Sequence, residues 1–301
     1  MAGIEPSTGG IAAEREAPVE RERLPNFLVI GAPKAGTGSI RDYLRQHPEI
    51  FMPAKKDLRW FAYHGQTNRM RYPCASLAEY AAEFAAAGDA KARGEASDVY
   101  FWVQQAPARI AETLPDAKLV VSLREPAQRA FSIYHMNLRT EDKNRGLGFL
   151  EALETDPIVQ RGYHDSLKAY LDRFDRRQMK IILFEDLEKR TLQTAQDLYA
   201  FLGVRTDFVP DLKISNPGGV PRIRWLHKLM TDDRVRTWSR TWLPESWVYA
   251  AKDLRSRNLD RSRMRMTAEE RATARAFFRE DLLRTEELIG IDLSRWLKPE
   301  D

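Results

Sequence analysis

Three short, almost uninterrupted apolar runs constrain the fold of this chain more than any other feature. They occupy residues 26–30 (NFLVI), 118–123 (KLVVSL) and 179–184 (MKIILF). Strands that are buried on both faces are apolar along their whole length, as in parallel sheets whose faces are covered by helices. Segments with helical spacing lie between these runs, and this alternation is typical of α/β proteins. The pattern therefore predicts a three-layer fold with a central parallel sheet flanked by helices.

The predicted helices share apolar residues that recur three or four positions apart. They cover residues 37–46, 76–87, 107–114, 126–139, 163–176, 192–202 and 268–288, and a further strand is predicted to end at residues 94–97. From about residue 216 the chain is rich in Arg and Trp and is predicted to be helical. We expect residues 1–24 to form a flexible polar tail and residues 25–301 to form one domain.

Composition excludes several classes of protein. The single cysteine, Cys74, rules out an internal disulfide and a multi-cysteine metal site. A net charge of +4 is mild for 301 residues, so a small anionic ligand is favoured over nucleic acid. No apolar run approaches the roughly 18–20 residues that cross a bilayer, and the polar N-terminus is unlike a signal peptide. We therefore expect a cytoplasmic protein that is not transmembrane, while its oligomeric state stays open.

A loop of small residues, GAPKAGTGS at 31–39, connects the first strand to the first helix. Small residues allow backbone N–H groups to approach an anion, and the N-terminus of the next helix favours negative charge. A Walker A loop requires GK followed by Ser or Thr, whereas Lys34 precedes Gly36 here. The loop is therefore predicted to bind an anion without being an ATPase loop, and an ordinary glycine-rich turn capped by Thr37 is the alternative.

A second anion-binding pattern begins where the strand at residues 118–123 ends. Arg124 lies at this strand end, and Ser132 lies two turns into the next helix. The planar guanidinium group of arginine suits a phosphate, so both side chains could converge on one. Arg129 lies on the same helix, where a positioning role is favoured.

These two segments resemble the donor-binding motifs of sulfotransferases that use 3′-phosphoadenosine-5′-phosphosulfate (PAPS). Residues 33–37 are similar to the PKxGT loop around the 5′-phosphosulfate, and residues 124–134 are similar to the RxPxxRxxSxY element at the 3′-phosphate. The resemblance covers residues 26–201. It implies a P-loop-like fold, PAPS as co-substrate, 3′-phosphoadenosine-5′-phosphate (PAP) as product, and no metal. The donor-binding residues that it implies are Lys34, Ala35, Gly36, Thr37, Gly38, Ser39, Arg124 and Ser132.

The same resemblance implies two further roles in donor binding. Lys34 takes the position of the lysine that stabilises the leaving phosphate, where negative charge develops as the S–O bond breaks. Residues 216–222 (NPGGVPR) resemble a late loop that closes over the donor in bacterial and carbohydrate sulfotransferases. Gly219 and Arg222 are the candidates in that loop, which is otherwise a turn before a helix.

A third segment that resembles the family predicts the catalytic base, which takes the proton from the hydroxyl or amine of the acceptor. Residues 55–61 (KKDLRWF) resemble the KExxFF-like stretch of carbohydrate-type sulfotransferases, and Asp57 takes the position of the glutamate that is the proposed base. His64 is the alternative, because imidazole titrates near neutrality. Glu95 lies in a segment similar to the family's GE(x)(S/T)PxY. It could orient Lys34, contact an acceptor or pair with an arginine, and the arginine pair is the interpretation we favour.

The sequence thus predicts metal-independent, in-line sulfo transfer to a hydroxyl or amine of a small-molecule, glycan or lipid acceptor. A small-molecule kinase with a variant loop and a non-catalytic nucleotide-binding module are the alternatives. Ala96 and Asp98 stand where glycosaminoglycan enzymes tend to carry lysine and proline, which disfavours a heparan-type acceptor. Four tryptophans either line an acceptor pocket or pack in the core: Trp225, Trp238, Trp242 and Trp247.

Overall fold

The computed structural model describes residues 23–63, 74–140, 146–212, 220–221, 259–260 and 265–298. The strands are β1 (Phe27–Gly31), β2 (Ile50–Phe51), β3 (Ala92–Ala96), β4 (Lys118–Leu123), β5 (Met179–Leu183), β6 (Val220–Pro221) and β7 (Leu259–Asp260). The helices are α1 (Thr37–Leu44), α2 (Leu77–Ala82), α3 (Ala106–Thr113), α4 (Pro126–Thr140), α5 (Phe149–Thr155), α6 (His164–Leu171), α7 (Phe184–Lys189), α8 (Thr191–Leu202) and α9 (Ala268–Ile289). Short 3₁₀ turns lie at Ala85–Ala87, Asp98–Phe101, Arg176–Gln178 and Ser294–Trp296.

The five strands β1 to β5 form one sheet in the order β2-β3-β1-β4-β5, and every neighbouring pair is parallel. In a parallel sheet all carboxyl ends lie at the same edge, which is where such folds bind ligands. Strand β1 lies at the centre, between β3 and β4. The residues that follow these three strands are therefore brought together at one edge of the sheet.

Alternate residues of the central strands are buried on opposite faces of the sheet. Phe27 and Val29 of β1 belong to an apolar cluster that includes α1 and α8. Leu28 and Ile30 belong to a second cluster, which includes α2, α3, α6 and the end of α9. Because both faces are covered, the strands are apolar throughout, and the predicted three-layer α/β fold is confirmed.

A third apolar cluster joins α4, α5 and α9 beside the main sheet. Ala130 of α4, Phe149 of α5 and Phe278 of α9 are all buried in it. The cluster attaches the C-terminal helix to the helix that follows β4. It thereby brings a segment late in the sequence to the carboxyl edge of the sheet.

The structure also corrects several sequence-based boundaries. Predicted helix 76–87 is α2 followed by a 3₁₀ turn, predicted helix 163–176 ends as α6 at Leu171, and Phe184 begins α7 rather than ending β5. The two-residue edge strand β2 and helices α5 and α7 were not predicted. Beyond residue 216, β6 and β7 form an antiparallel pair within a region predicted to be helical, while the prediction of a helix at 268–288 is confirmed by α9.

Candidate active site

The loop between β1 and α1 turns sharply at Gly36. This residue has φ +87° and stands at the N-cap of α1. A Cβ atom built there would lie 2.8 Å from Cδ2 of Leu187, so both the backbone angle and the close approach require glycine. Because glycine offers no side-chain cap, the first N–H groups of α1 are left to another acceptor.

Strand β4 fixes this loop from the neighbouring position in the sheet. The hydroxyl of Ser122 donates to the carbonyl oxygen of Ala35 at 2.6 Å, and the N–H of Ala32 donates to the carbonyl oxygen of Ser122 at 2.8 Å. Ala35 is completely buried, and its N–H donates to the carbonyl oxygen of Ala32 at 3.2 Å. The loop is thus held rigidly by the strand that leads into the second motif.

Lys34 lies on this loop in a left-handed backbone conformation, with φ +66°. Non-glycine residues with such angles are uncommon and are concentrated at functional sites. Nη1 of Arg124 lies 3.4 Å from the carbonyl oxygen of Lys34, to which it donates. The two segments predicted from the sequence to bind a donor are therefore in direct contact.

The other small residues of the loop have distinct surroundings. Thr37 and Gly38 form the partly exposed first turn of α1. The hydroxyl of Ser39 is hydrogen-bonded to Tyr43 one turn later. The structure thus places all of the predicted donor-loop residues, Lys34 to Ser39, within one turn and its following helix.

Arg124 and Ser132 line the same cavity, which has a volume of about 160 Å³. Its remaining lining residues are Gln128, Phe131, Arg265, Met266 and Arg271. Nη2 of Arg124 donates to Oε1 of Gln128 at 3.2 Å, and its guanidinium lies 4.7 Å from the ring centroid of Phe184. Burial lowers the pKa of Arg124. Its buried Nε has no hydrogen-bond partner among the described residues, which is typical of a group that awaits a ligand.

Arg265 and Arg271 were not predicted from the sequence, and their position depends on how α9 is docked. Nε of Arg275 lies 3.0 Å from Oε1 of Glu125, which is 2% exposed. Glu125 also accepts a hydrogen bond from the N–H of Gln128 at 2.9 Å. Arg271 lies one turn before Arg275 on α9, so this ion pair places its side chain at the cavity. The sequence offered only a weak signal, namely an arginine-rich segment with no indication of which arginines converge.

Arg129 has a structural role, as its position on α4 suggested. Its side chain is fully buried, and its guanidinium lies 5.0 Å from the ring centroids of both Trp102 and Tyr163. It also donates to the carbonyl oxygen of Arg161. This packing fixes α4, and with it Ser132, against the rest of the domain.

Asp57 lies on a tight turn after β2 and faces the end of β3. Asp57 and Arg59 have φ angles of +53° and +57°, and Nη2 of Arg59 lies 3.8 Å from Oδ2 of Asp57. The Asp57 side chain is 42% exposed and can therefore meet a ligand. The backbone N–H of Arg59 donates to the hydroxyl of Ser97 at 3.0 Å. This hydrogen bond joins the turn to the residue that directly follows β3, the strand next to β1 in the sheet.

Glu95 is buried in a cluster of hydroxyl groups. Its carboxylate accepts hydrogen bonds from Tyr100 at 2.5 Å, Ser97 at 2.7 Å and Tyr80 at 3.3 Å. Burial raises the pKa of Glu95 to about 7, although the three hydrogen bonds act in the opposite direction. The favoured interpretation of a pair with an arginine is wrong, because the partners in the described part of the chain are hydroxyl groups.

Asp98, the residue that departs from the family's proline, lies close to this turn. Burial, and then the Asp57 carboxylate, raises the pKa of Asp98 to about 6, while Arg59 and Lys34 act in the opposite direction. Its carbonyl oxygen lies 3.2 Å from the position of a Cβ atom on Gly31. Asp98 is therefore a second carboxylate close enough to interact with both Asp57 and Lys34, and no sequence motif singled it out.

Several predicted residues lie outside the described residues. They are His64, Gly219, Arg222, Trp225, Trp238, Trp242 and Trp247. Among the described histidines, His47 is buried and packs its ring against Tyr199 with 4.5 Å between centroids, so its role is structural. Cys74 is buried, and burial raises the pKa of its thiol to about 12, so it is a poor nucleophile.

A metal-ion cluster and a membrane-spanning helix are both absent from the described residues. Over residues 23–63, 74–140, 146–212 and 265–298, no group of three His, Cys, Asp or Glu side chains is arranged to hold a metal ion. In the same part of the chain, none of the helices combines the length and apolar character required to cross a membrane. The cytoplasmic location stays a prediction.

Together, the parallel sheet, the glycine turn before α1 and the arginine-lined cavity define an α/β protein with a candidate site for anionic groups at the carboxyl edge of its sheet. The sequence model of the sulfotransferase family, Sulfotransfer_3, matches residues 25–208, which is more than half of the chain. The protein belongs to the sulfotransferase family.

Individual relatives agree with this assignment. The chain is 32% identical over 122 residues to the membrane-associated sulfotransferase kil1 of Dictyostelium discoideum, a match that covers 40% of this chain and 25% of kil1. It is 28% identical over 207 residues to the human bifunctional heparan sulfate N-deacetylase/N-sulfotransferase 3, covering 61% of this chain and 23% of that protein. It is 27% identical over 195 residues to the human heparan sulfate glucosamine 3-O-sulfotransferase 3B1, covering 61% of this chain and 47% of that protein. The matches thus span less than half the length of these curated relatives.

A crystal structure supports the fold over most of the chain. The sulfotransferase from Alicyclobacillus acidocaldarius superposes with a TM-score of 0.68 and 30% sequence identity. The superposition covers 91% of this chain and 99% of that one. The P-loop-like fold implied by the resemblance is therefore confirmed.

Proposed function

We propose that this protein transfers a sulfo group from PAPS to a hydroxyl or amine of an acceptor without a metal ion. The observation that carries the proposal is the meeting of Arg124, Ser132, Arg265 and Arg271 in one cavity beside the loop of Lys34. Arginine side chains and a hydroxyl suit a phosphate dianion. The cavity and the loop are two neighbouring candidate sites for anions. PAPS has two such groups, because its nucleoside carries a phosphate at both the 3′ and the 5′ position.

The 3′-phosphate is assigned to the arginine cavity, and the 5′-phosphosulfate to the loop. Arg124 and Ser132 contact the 3′-phosphate as implied by the family resemblance, while Arg265 and Arg271 add positive charge from the C-terminal region. The N–H groups of Gly36, Thr37 and Gly38 receive the 5′-phosphosulfate at the start of α1, while those of Ala35 and Ser39 donate to backbone carbonyl oxygens and shape the loop. Gly219 and Arg222 remain proposed contacts from the late loop.

Lys34 is assigned as the residue that stabilises the leaving phosphate. When the acceptor oxygen or nitrogen attacks sulfur, the bond from sulfur to the phosphate oxygen breaks, and negative charge accumulates on that oxygen. The Lys34 ammonium, on a loop that β4 holds in place, stabilises this charge where it develops. Its left-handed backbone is consistent with a side chain fixed for that task.

Asp57 is assigned as the base that takes the proton from the acceptor. A half-exposed carboxylate on a turn that is hydrogen-bonded to Ser97 can accept the proton as the new bond to sulfur forms. His64 remains the alternative base, and the two are distinguished by the variants Asp57→Asn and His64→Ala.

We propose that the acceptor is a glycan, a lipid or a small molecule. We also propose that residues 25–301 form one domain. Two relatives are named as heparan sulfate sulfotransferases, which places a glycan in the acceptor panel. Ala96 and Asp98 replace a lysine and a proline of such enzymes, so uncharged sugars belong in the panel beside sulfated ones. Nucleic acid is not an expected partner.

The test is transfer of ³⁵S-sulfo groups from labelled PAPS to this panel, with and without EDTA. We expect transfer that is unchanged by EDTA and is reduced at least about a hundred-fold in Lys34→Ala, the usual scale for loss of one group that stabilises transition-state charge. Lys91→Ala is the matched control, because Lys91 is 61% exposed and pairs with Glu49 at the opposite end of β3.

Other outcomes would point to the alternatives. Tight binding of PAP without transfer to any acceptor would indicate a nucleotide-binding module. Magnesium-dependent transfer of the γ-phosphate of ATP would indicate a kinase. Loss of sulfo transfer in EDTA would contradict the metal-free mechanism, and full activity in Lys34→Ala would contradict the role of that lysine.

A further inference from the structure

The turn that carries Asp57 is held by a buried network centred on Glu95. Two backbone N–H groups of the turn donate into this network: that of Arg59 to the Ser97 hydroxyl at 3.0 Å, and that of Phe61 to the Tyr100 hydroxyl at 3.5 Å. Both hydroxyls in turn donate to the carboxylate of Glu95. A single hydroxyl group therefore connects Glu95 to each of these two backbone N–H groups of the turn.

The opposite side of the turn is fixed by α3. Nη1 of Arg109 donates to the carbonyl oxygens of Phe61 and Ala62, each at 3.1 Å. Arg109 holds the carbonyl groups of the turn, and the network holds its N–H groups. A turn with left-handed residues at Asp57 and Arg59 needs such support, because unfavourable backbone angles persist only where the surrounding structure holds them.

From this arrangement we infer that Glu95 is a positioning residue, which sets the place of Asp57 through the hydroxyls of Ser97 and Tyr100. This inference rests on the proposed function, since it assumes that Asp57 accepts the acceptor's proton. It assigns to Glu95 a task other than contact with Lys34 or with the acceptor. Being 2% exposed, Glu95 does not meet a ligand directly.

The ionised form of Glu95 is the one that supports this geometry. A carboxylate only accepts hydrogen bonds, so all three hydroxyls donate to it, and Ser97 and Tyr100 keep a lone pair for the N–H groups of the turn. When Glu95 is protonated, it becomes a donor, and at least one hydroxyl must reorient. Since the pKa of Glu95 is raised to about 7, this change falls near neutral pH.

The charged and titratable groups around Glu95 come from several parts of the chain. They are Arg41 of α1, Asp57, Cys74, Tyr80 of α2 and Tyr100. Burial is the main cause of the raised pKa of Glu95, and Asp57 acts in the same direction, whereas hydrogen bonds from Tyr100, Ser97 and Tyr80 lower it. Burial raises the pKa values of both tyrosines and of Cys74. Glu95 is therefore the member of this network that titrates near neutrality.

The first test compares Glu95→Gln and Ser97→Ala with the wild-type protein, using the pH profile of kcat and the affinity for PAP. We expect kcat to fall about ten-fold or more in both variants, because small displacements of catalytic groups are costly, with PAP affinity unchanged. In the wild-type protein kcat should rise as the pH increases through about 7, and this limb should vanish in Glu95→Gln.

Matched variants separate positioning from general damage to the core. Tyr80→Phe removes a hydrogen bond to the same carboxylate but keeps the ring that packs against Trp60 and Phe61 of the turn. The Tyr80 hydroxyl is not one of the two that bind N–H groups of the turn, so this variant should keep most of kcat. Ser97→Thr retains the hydroxyl and should restore activity relative to Ser97→Ala. Equal losses in Tyr80→Phe and Ser97→Ala would overturn the inference.

A second readout does not depend on turnover. Amide hydrogen exchange of residues 57–61 should be faster in Glu95→Gln than in the wild-type protein, and exchange of β4 should be unchanged. If exchange responds in this way but the wild-type protein transfers no sulfo group, the proposed function fails and the positioning by Glu95 stands. If the wild-type protein is active and Glu95→Gln has a normal pH profile and normal exchange, the inference is wrong.

Discussion

The Ser122 hydroxyl donates to the carbonyl oxygen of Ala35 at 2.6 Å, and this bond fixes the middle of the proposed donor loop to the neighbouring strand. Ser122 is itself fully buried within β4, so the bond is shielded from water. It links two segments that lie 87 residues apart in the sequence. The loop that carries Lys34 is therefore held by the strand that ends in Arg124.

Ser122→Ala should destabilise the protein and weaken PAP binding. The carbonyl oxygen of Ala35 loses its donor in a buried place, which costs about 1–3 kcal/mol. Urea unfolding and calorimetric titration with PAP measure the two effects. Thr155→Ala is a suitable control, because its hydroxyl also donates to a backbone carbonyl, at 2.7 Å, but in an exposed helix. Unchanged PAP affinity in Ser122→Ala would show that the loop does not need this bond.

Arg124→Ala should impair recognition of the 3′-phosphate selectively. Loss of a charge-assisted hydrogen bond costs about 1.5–3 kcal/mol, which weakens PAP binding roughly ten- to a hundred-fold. Binding of adenosine 5′-phosphosulfate, which lacks the 3′-phosphate, should change little.

Ser132→Ala and Arg271→Ala should show the same selectivity to a smaller extent, since each removes one of several groups that line the cavity. Arg279→Ala, on an exposed part of α9, serves as the control. Equal losses for the ligands with and without a 3′-phosphate would contradict the assignment of the cavity.

Arg275→Met should lower both stability and PAP affinity. Glu125 would remain 2% exposed without its 3.0 Å partner, and an uncompensated buried charge of this kind costs about 3 kcal/mol. Because the pair docks α9 beside the cavity, Arg271 would also be displaced. The double variant Glu125→Gln/Arg275→Met should recover part of the stability in a double-mutant cycle. Additive losses in that cycle would show that the two side chains act independently.

The stability of the folded protein should fall as pH increases between about 4.5 and 7, owing to Glu95. The pKa of Glu95 is about 7 in the folded protein, against an ordinary value of 4.5. The unfolded chain therefore loses its proton first, and the folded form must then bury a charge. Glu95 makes its full contribution to the free energy of unfolding below pH 4.5, and this contribution is lost as the pH rises through about 7. The total change is about 3 kcal/mol.

Urea unfolding of the wild-type protein and Glu95→Gln at pH 5, 6, 7 and 8 tests this dependence. The difference in unfolding free energy between the two proteins should change over this range and level off above about pH 7. A difference that is independent of pH would contradict the raised pKa. The ionised Glu95 thus costs stability while it holds the turn of Asp57.

The strands of the sheet and the two donor motifs could be predicted because their signals are local. An apolar run such as residues 118–123 indicates a strand that is buried on both faces. Gly36 indicates a backbone angle that other residues rarely adopt. By contrast, β2 has only two residues, and its pairing with β3 depends on where the rest of the sheet lies. Short elements of that kind leave no periodic pattern in the sequence.

The partners of buried polar groups could not be predicted for a similar reason. Glu95 was expected to pair with an arginine, yet the hydroxyls of Tyr80, Ser97 and Tyr100 surround it. Tyr80 reaches it from a helix 15 residues away. A carboxylate can be satisfied by either kind of donor, so the choice depends on the packing around it.

By itself the sequence determined the α/β class of the fold, and it predicted an anion-binding loop at Lys34 and a second anion site at Arg124 and Ser132. The fold class follows from apolar patterning, which acts over a few positions, whereas the sulfotransferase family was indicated by the resemblance of the two motifs. Only the tertiary structure decided that Arg265 and Arg271 line the same cavity, and that Ser97 links Glu95 to the turn of Asp57. Those contacts join residues far apart in the chain, and they form because the parallel sheet brings the ends of its strands to one edge.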